Sequence, residues 1–324
     1  MRLVPYNPAM KEMWDCAVRA SRNGTFLFRR DYMDYHCDRF EDHSLCFFDD
    51  HNKWVACLPA CCLHNEKVVT SHGGLTYGGF ILSPHATCED VLAMFNLSVS
   101  HYRAHGFERF LYKPIPYIYN SYPSEEDLYA LFQQGAQLIS CAVSSTVDLC
   151  NPLPLSQLRT RKQRKARKAQ LKVCSYELVP VSEREAALCE FWRILTDVLS
   201  VYHQTKPVHT FNEIKRLQAL FPENIRLYTT LSGSPDHIVA GCVVYETTHV
   251  AHVQYIAANA EGRSLGALDL LFSVLRQSYA QRLRYLDFGI STEDQGRRLN
   301  AGLLFQKEGF GGRAVCYDCY QILL

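Results

Sequence analysis

The chain has 324 residues, of which 48% are hydrophobic and 21% are charged, and its formal net charge is +1. This length accommodates two domains of about 150 residues, each with its own hydrophobic core. The near-zero charge argues against a protein that coats nucleic acid over its whole surface, because such proteins are strongly basic. Any attraction to anions must therefore be local.

The apolar segments of the chain are short. The longest run, Val55 to Leu63, contains Pro59 and is far shorter than the roughly 20 residues that a membrane-spanning helix needs. We therefore expect no membrane span. The first residues form no apolar leader segment, so we expect a cytoplasmic protein whose 14 cysteines are reduced.

The cysteine pattern does not predict a metal site. Cys316 and Cys319 are three apart in a predicted strand, where side chains at that spacing point to opposite faces. No second cysteine pair stands at zinc-ligand spacing. We therefore expect no bound metal ion.

The first half of the chain is predicted to contain two helices, three strands, and then alternating helices and strands. Proline at the first helical position opens the first helix, and Gly106 and Gly135 end two later ones. The predicted elements are helices 8–21 and 31–40, strands 45–48, 54–63 and 67–71, helix 88–105, strand 109–113, helix 124–134 and strand 136–149.

The second half repeats this order after one additional strand. Its predicted elements are strand 172–179, helices 183–199 and 208–220, strands 225–231, 237–245 and 249–257, helix 266–281, strand 284–288, helix 298–308 and strand 314–323. Two helix ends also look alike, Phe132 to Gly135 and Phe305 to Gly309. We infer an internal duplication of one α/β unit.

A basic segment joins the two halves. Residues 159–168 carry seven positive charges in ten positions without proline or glycine, which predicts a helix that is basic on all faces. One interpretation is a solvated connector. The other is a helix that faces a polyanionic substrate such as a phosphate or diphosphate, because so dense a charge run repels itself unless an anion lies near.

The last sixty residues place polar residues and glycine at the ends of predicted elements. The motifs are Asp287-Phe288-Gly289 with Ser291 and Glu293, Leu299-Asn300 with Gly302-Leu303, and Lys307-Glu308 with Phe310-Gly311. Together with the element order, they resemble the FemAB-type branch of the GNAT acyltransferase superfamily. The segment Lys113 to Tyr119 and the basic connector also resemble that branch, so the resemblance covers nearly the whole chain.

The resemblance implies an α/β (α+β) fold of two tandem GNAT-like domains, each a mixed, mostly antiparallel sheet flanked by helices. We expect an N-terminal domain at 1–150, a basic helical connector at 151–172 and a C-terminal domain at 173–324 that holds the acyl donor. The donor is acyl-CoA in most GNAT proteins, which favours acetyl-CoA as co-substrate here. It is aminoacyl-tRNA in the FemABX enzymes, which makes tRNA an alternative partner.

The resemblance also indicates which residues hold the donor and the acceptor. In GNAT proteins an exposed strand and the turn into the next helix bind the donor and its pyrophosphate. The corresponding residues here are Ile256, Ala257, Gly262, Arg263, Gly266 and Ala267. For an anionic acceptor the candidate residues are Lys113, Tyr117, Arg161, Arg164, Lys165 and Lys168.

Amide formation needs a base for the amine and a group that stabilises the developing oxyanion. Lys307 corresponds to a functional lysine of FemABX-type enzymes; its alternative role is an ion pair with Glu308 or Glu293. Asp287 is a candidate base or a turn cap. Tyr255 is a candidate base or a packing residue, and His252 lies on the same strand, where many GNAT enzymes place a base.

Glu293 and Asn300 are further catalytic candidates, although both residue types often cap helices. The sequence thus predicts an N-acyltransferase that moves an acyl group from acyl-CoA to an amine of an anionic cell-envelope or metabolite acceptor, such as a glycan or lipid precursor. The alternatives are a FemABX-like aminoacyl-tRNA-dependent peptidyl transferase and a non-catalytic GNAT-like binding scaffold. We expect no DNA partner.

Overall fold

The computed structural model describes residues 1–63, 66–233 and 235–324. The helices of these residues are α1 (Lys11–Ala20), α2 (Arg30–Met33), α3 (Cys88–Ala104), α4 (Glu126–Gln133), α5 (Gln157–Lys168), α6 (Val181–His203), α7 (Phe211–Leu220), α8 (Ala260–Leu265), α9 (Ala267–Tyr279) and α10 (Ala301–Gly309). None of them combines the length and the apolar character that a bilayer span requires.

The strands follow the predicted order in each half of the chain. They are β1 (Arg2–Pro5), β2 (Glu41–Asp42), β3 (Leu45–Phe48), β4 (Trp54–Leu58), β5 (Cys61–Cys62), β6 (Val68–Thr70), β7 (Ile81–Leu82), β8 (Arg109–Tyr112), β9 (Gln137–Asp148), β10 (Lys172–Ser175), β11 (Ile225–Ser232), β12 (His237–Glu246), β13 (Val250–Ala258), β14 (Tyr285–Ile290), β15 (Thr292–Glu293), β16 (Arg298–Leu299) and β17 (Arg313–Leu323).

Several predicted elements differ from those observed, and two of the differences lie in the first half of the chain. The predicted helix at 31–40 is the single turn α2 followed by a 3-10 turn, Asp34–His36. The predicted strand at 54–63 is divided into β4 and β5 at Pro59. Proline has no backbone N–H to donate to a strand ladder, so the strand breaks there.

The chain divides into two compact units. The first unit contains Met1–Val143, Thr292–Leu299 and Val315–Leu324, and the second contains Ser144–Ser291 and Asn300–Ala314. The units therefore differ from the predicted domains 1–150, 151–172 and 173–324 in two respects. The basic helix α5 is part of the second unit, because it packs on α9, and two C-terminal segments belong to the first unit.

The first unit contains two groups of strands. One is the antiparallel sheet β1-β3-β4-β7. In the other, β17 pairs with β8, β8 runs parallel to β6, and β5 joins β6 to β2. Phe80, Phe95 and Tyr112 are fully buried and contact one another in its core, beneath α3.

The second unit is built on the antiparallel strands β10-β11-β12-β13. Strand β14 continues this sheet parallel to β13, and the last residues of β9 pair with β14. Helices α6 and α9 both pack on β12 and β13. The core includes Val244, Leu271, Phe272, Leu286 and Phe310. The parallel pair β13 and β14 is the element that positions the candidate site.

Candidate active site

The parallel strands β13 and β14 part after their third residue pair. Val250 faces Tyr285, Ala251 faces Leu286 and His252 faces Asp287, and within the described residues the register goes no further. One residue beyond the last pair, Val253 and Phe288 both line a cavity of about 520 Å³. Because successive side chains of a strand alternate, His252 and Asp287 lie on the opposite face at the point of divergence.

Asp287 is a fully buried carboxylate that accepts hydrogen bonds at both oxygens. Its Oδ1 accepts from the hydroxyls of Ser144, at 2.5 Å, and Thr146, at 2.8 Å. Its Oδ2 lies 2.6 Å from Nδ1 of His252. Burial by itself raises the pKa of a carboxyl group, but these partners outweigh burial and hold the pKa of Asp287 below its usual value. Asp287 is therefore ionised at neutral pH.

The ionised Asp287 fixes the orientation of His252. An ionised carboxylate only accepts hydrogen bonds, so Nδ1 of His252 carries the proton that it shares with Asp287. When the ring carries this proton alone, Nε2 has a free lone pair. The His252 side chain is only 12% exposed. The pair has the arrangement of a base held by an orienting carboxylate.

Gly289 makes room for the imidazole at the end of β14. Its φ is +73°, a backbone conformation that glycine adopts without steric cost. A Cβ atom at this position would lie 3.5 Å from Cε1 and 4.0 Å from Nε2 of His252. The Asp-Phe-Gly motif is thereby explained: it supplies the carboxylate, a wall of the cavity, and a backbone position against the ring.

Lys307 closes the same end of the cavity from α10. Its ammonium group donates to the carbonyl oxygens of Gly289, at 2.8 Å, and Ile290, at 2.7 Å. The side chain is 6% exposed and lines the cavity. Burial lowers the pKa of Lys307 to about 8, although the charge of Asp287 opposes this shift. Lys307 is a cation with one remaining N–H near the point where the strands part.

Asn300 caps the helix that carries Lys307. Its side-chain oxygen accepts from the backbone N–H of Leu303 at 3.0 Å and caps α10. The backbone N–H of Asn300 donates to the carbonyl oxygen of Ser291 at 2.9 Å. The cap therefore fixes the helix that carries Lys307.

The other end of the cavity is a turn with two constrained glycines. A Cβ atom at Gly262 would lie 2.2 Å from the carbonyl oxygen of Val239. Gly266 has a φ of +81°, and a Cβ there would lie 2.7 Å from the carbonyl oxygen of Lys162. Both positions require glycine. Asn259 caps the start of α8 by accepting from Gly262 N–H at 2.8 Å, so this turn is rigidly built.

The remaining predicted donor residues lie beside this turn. Ile256 and Ala257 line the cavity from β13. Ala267 is fully buried at the start of α9. Arg263 lines the cavity and donates to the carbonyl of Ala258, at 2.7 Å, and to the hydroxyl of Tyr202, at 2.8 Å. The predicted donor segment therefore surrounds one end of the cavity.

The cavity has an excess of positive charge. The basic residues that line it are Arg159, Lys162, Arg263 and Lys307, and the acidic one is Asp269. Arg159 and Asp269 form a buried ion pair of 3.0 Å. Burial raises the pKa of Asp269, and Arg159 opposes that shift. The cavity therefore favours a ligand that carries negative charge.

The basic helix α5 has two different faces. The predicted substrate residues Arg161, Arg164, Lys165 and Lys168 are all exposed. Arg159 and Lys162 reach the cavity instead, and Ala166, one turn further, is fully buried in the core. Sequence reasoning missed Arg159 and Lys162. The signal was present, because Ala166 is the one small apolar residue in the charge run and marks the inward face.

Two catalytic candidates lie elsewhere. The hydroxyl of Tyr255 accepts from the backbone N–H of His209 at 3.2 Å, and its ring packs edge-on against Trp192 at 4.9 Å. Burial raises the pKa of Tyr255 to about 12. Glu293 belongs to the first unit, where it pairs with Arg298 at the surface. These placements favour packing and surface pairing over catalysis.

Lys113 and Tyr117, the predicted acceptor residues of the first unit, differ in environment. The Lys113 ammonium donates to the carbonyl oxygens of Leu75, at 3.0 Å, and His72, at 3.3 Å. Burial lowers the pKa of Lys113. Tyr117 is 53% exposed. Lys113 thus holds a loop, and Tyr117 is accessible to a ligand.

The comparisons with known proteins agree with this architecture. Residues 156–295 match the family model described as an acetyltransferase (GNAT) domain. The crystal structure of FemX superposes with a TM-score of 0.70 at 10% identity, covering 100% of this chain and 98% of that chain. No curated protein matches the chain in sequence.

Two further solved structures share the fold. L-PGS from Bacillus licheniformis superposes with a TM-score of 0.62 at 11% identity, covering 97% of this chain and 91% of that one. A tandem GNAT protein from the clavulanic acid biosynthesis pathway superposes with a TM-score of 0.51 at 11% identity, covering 99% and 97%. The fold predicted from the C-terminal motifs and the element order is therefore confirmed.

Proposed function

We propose that the chain is a FemAB-type member of the GNAT superfamily and acts as an N-acyltransferase, because residues 156–295 match a GNAT domain model and the whole chain shares the fold of FemX. It moves an acyl group from an acyl-CoA thioester to an amine of an anionic acceptor. One observation carries this proposal: the cavity opens where β13 and β14 part, and the Asp287–His252 pair lies at the point of divergence.

The cavity suits a long donor with phosphates at one end. The volume of about 520 Å³ falls in the range of small-molecule sites. The rigid turn with Gly262 and Gly266, together with Lys162 and Arg263, receives the phosphates. The arm of the donor follows β13 past Ile256 and Ala257, and the thioester lies between Val253 and Phe288.

The chemistry follows from the two groups at the divergence point. Nε2 of His252 takes a proton from the attacking amine, and the ionised Asp287 stabilises the imidazolium that forms. The C–N bond forms as the C–S bond breaks, and the proton passes from His252 to the leaving thiolate. Lys307 and its N–H stabilise the negative charge that develops on the acyl oxygen.

The amine of the acceptor reaches Nε2 of His252 where the two strands part. An anionic acceptor is supported by the exposed row Arg161, Arg164, Lys165 and Lys168 on α5. It is also supported by the similar fold of the C-terminal domain of a putative lysylphosphatidylglycerol synthetase from Agrobacterium fabrum, whose name contains that of an anionic lipid. A lipid or glycan precursor with a free amine fits both observations.

Aminoacyl-tRNA is the second candidate donor. The fold similarity to FemX over the whole chain and the exposed basic row on α5 favour it. With this donor the chain is a peptidyl transferase, and the same His252 and Lys307 act on an ester instead of a thioester. Activity that is lost on ribonuclease treatment distinguishes this donor from acyl-CoA.

Calorimetry with acetyl-CoA and longer acyl-CoAs tests the proposal. We expect one donor per chain, bound equally well by the wild type and by the Asp287→Asn/Lys307→Met double variant, with release of free CoA only by the wild type. Absence of binding to every acyl-CoA contradicts the CoA version. Turnover that survives in the double variant contradicts the roles assigned to Asp287 and Lys307. Donor binding without turnover in the wild type favours the binding scaffold.

A further inference from the structure

Three side chains of metal-ligand type converge in the first unit. Glu41 of β2 is paired with Cys62 of β5 across the strand ladder, and His43 follows β2 directly. The candidate ligand atoms of the three residues all lie within 4.8 Å of one another. We propose that Glu41, His43 and Cys62 bind a zinc ion.

The distances fit a tetrahedral zinc site. Nε2 of His43 lies 3.4 Å from Oε1 of Glu41, and Sγ of Cys62 lies 3.7 Å from Oε2 of Glu41. Zinc bond lengths of about 2.0 Å to nitrogen and oxygen and about 2.3 Å to sulfur put tetrahedral ligand atoms roughly 3.3–3.6 Å apart. The three side chains need to move only slightly to share one ion.

The imidazole of His43 has an unused ring nitrogen that points at this cluster. Within the described part of the chain, Nε2 is buried and makes no hydrogen bond. The ring is held by edge-on packing on Phe107 at 4.8 Å. The backbone is held by His43 N–H, which donates to Ala60, and by the Tyr102 hydroxyl, which donates to the His43 carbonyl at 3.1 Å. A buried ring nitrogen that makes no hydrogen bond, and only a 3.4 Å contact with Oε1 of Glu41, costs free energy that a metal ion would remove.

The charges of the cluster select a divalent cation. A carboxylate and a thiolate together carry two negative charges, which zinc neutralises. The thiolate is the form of cysteine that binds zinc, so zinc binding releases the thiol proton of Cys62. The mixed sulfur, nitrogen and oxygen set favours zinc over calcium or magnesium, which prefer oxygen ligands.

Zinc at this site would stabilise a weak part of the sheet. Strands β2 and β5 are only two residues long, and β2 ends its group of strands. An ion bound by both Glu41 and Cys62 links the two strands and holds them in register. Glu41 is 57% exposed, which leaves room for water as the fourth ligand.

This site is not visible in the spacing of the sequence. Cys316 and Cys319 attract attention as a Cys-x-x-Cys pair, but the second convergence in the first unit consists of Cys141, Cys316 and Asp318. Residues 316 and 318 share a strand face, whereas 316 and 319 do not. The group of Cys141, Cys316 and Asp318 lacks an imidazole. Substitution of its two cysteines therefore provides the matched control for the zinc test.

Titration of the full-length protein with Zn²⁺ and Co²⁺ after removal of metals tests the proposal. We expect one tightly bound ion, a sulfur-to-cobalt charge-transfer band, and a melting temperature that zinc raises. Cys62→Ser abolishes the band, and His43→Ala weakens zinc binding by at least about 100-fold, more than the loss of an outer-shell partner. Glu41→Gln changes an exposed side chain, so we expect this variant to fold. It tests the site through weaker zinc binding if the other two variants fold poorly.

The control is Cys141→Ser/Cys316→Ser, which we expect to retain the band and one zinc ion. The proposal is overturned if the wild type binds no zinc. It is also overturned if Glu41→Gln, His43→Ala and Cys62→Ser bind zinc as the wild type does, or if the control variant loses all of its zinc.

Discussion

Both units of the molecule contain a pair of parallel neighbouring strands, β6 with β8 and β13 with β14, and these two pairs end differently. In the second unit, β13 and β14 part after His252 and Asp287 and a cavity opens. In the first unit, β6 and β8 remain joined past their last register pair. Ser71 N–H donates to the Leu111 carbonyl, and Lys113 N–H donates to the Ser71 hydroxyl, both at 2.8 Å.

The segment that follows each strand explains the difference. After β6 the glycine-rich residues 71–79 fold back, and Gly78 N–H donates to the carbonyl of Lys113 at 3.0 Å. A Cβ at Gly78 would lie 1.8 Å from the Ser71 carbonyl, so this close approach requires glycine. After β13 the chain turns into α8 and leaves the strand ends apart. Equal element order therefore does not give both units a site.

The two units also differ in their buried carboxylates. Asp127 accepts a single side-chain hydrogen bond from Tyr112 at 2.9 Å, and burial raises its pKa to about 7. Asp287 has three side-chain partners, and its pKa lies below the usual value. Only Asp287 is held as an anion well below neutral pH. A charged, oriented carboxylate suits catalysis, and a neutral one suits a core.

The largest expected effect on the rate comes from substitutions at Asp287 and at its partner His252. Asp287→Asn and His252→Gln each lower kcat by about 10²–10⁴-fold, because the base loses its orientation or its acceptor nitrogen. Asp127→Asn, the matched change in the first unit, leaves kcat within about twofold of wild type. Steady-state release of CoA measures all three. A loss in Asp127→Asn equal to that in Asp287→Asn would remove the distinction between the units.

The lysines provide the next comparison. Lys307→Met lowers kcat by about 10²–10³-fold, because a donor at the developing oxyanion is lost. Lys113→Met removes a lysine that is bonded to two loop carbonyls, so it lowers thermal stability and changes kcat little. Rate and melting temperature are measured for both variants. If Lys113→Met lowers kcat as much as Lys307→Met, both strand ends serve the reaction.

The pH dependence sharpens the role of Lys307. Its pKa of about 8 means that the ammonium is present below pH 8 and is lost above it. We expect kcat to fall as pH rises through about 8. In Lys307→Arg the group stays protonated, so this descending limb moves to higher pH. If the descending limb of the pH profile is unchanged in Lys307→Arg, the limb reports the titration of another group.

The smallest effect separates the two faces of α5. Lys162 lines the cavity, so Lys162→Ala raises KM for the donor about 10-fold with little change in kcat. Lys165 is exposed on the outer face, so Lys165→Ala changes KM for the donor by less than about twofold. Equal effects of the two variants would place the donor phosphates on the outer face.

The sequence predicted the order of the main elements in both halves. Its C-terminal motifs also singled out Asp287 and Lys307 as candidate site residues. It did not predict the partnership of His252 with Asp287, which are 35 residues apart, because only the parallel register brings them together. Tyr255 is not among the residues that line the cavity, for a local reason. A bulge opposite Val243 and Val244 shifts the alternation of β13, so Tyr255 and Val253 lie on opposite faces.

A crystal structure of the protein with a non-reactive acyl-CoA analogue tests the central claim most directly. The thioester is expected between the ends of β13 and β14, with its acyl oxygen beside Lys307 and Gly289 and its phosphates at the turn of residues 262–266. An analogue bound in the first unit, or away from the divergence of β13 and β14, would contradict the assigned site.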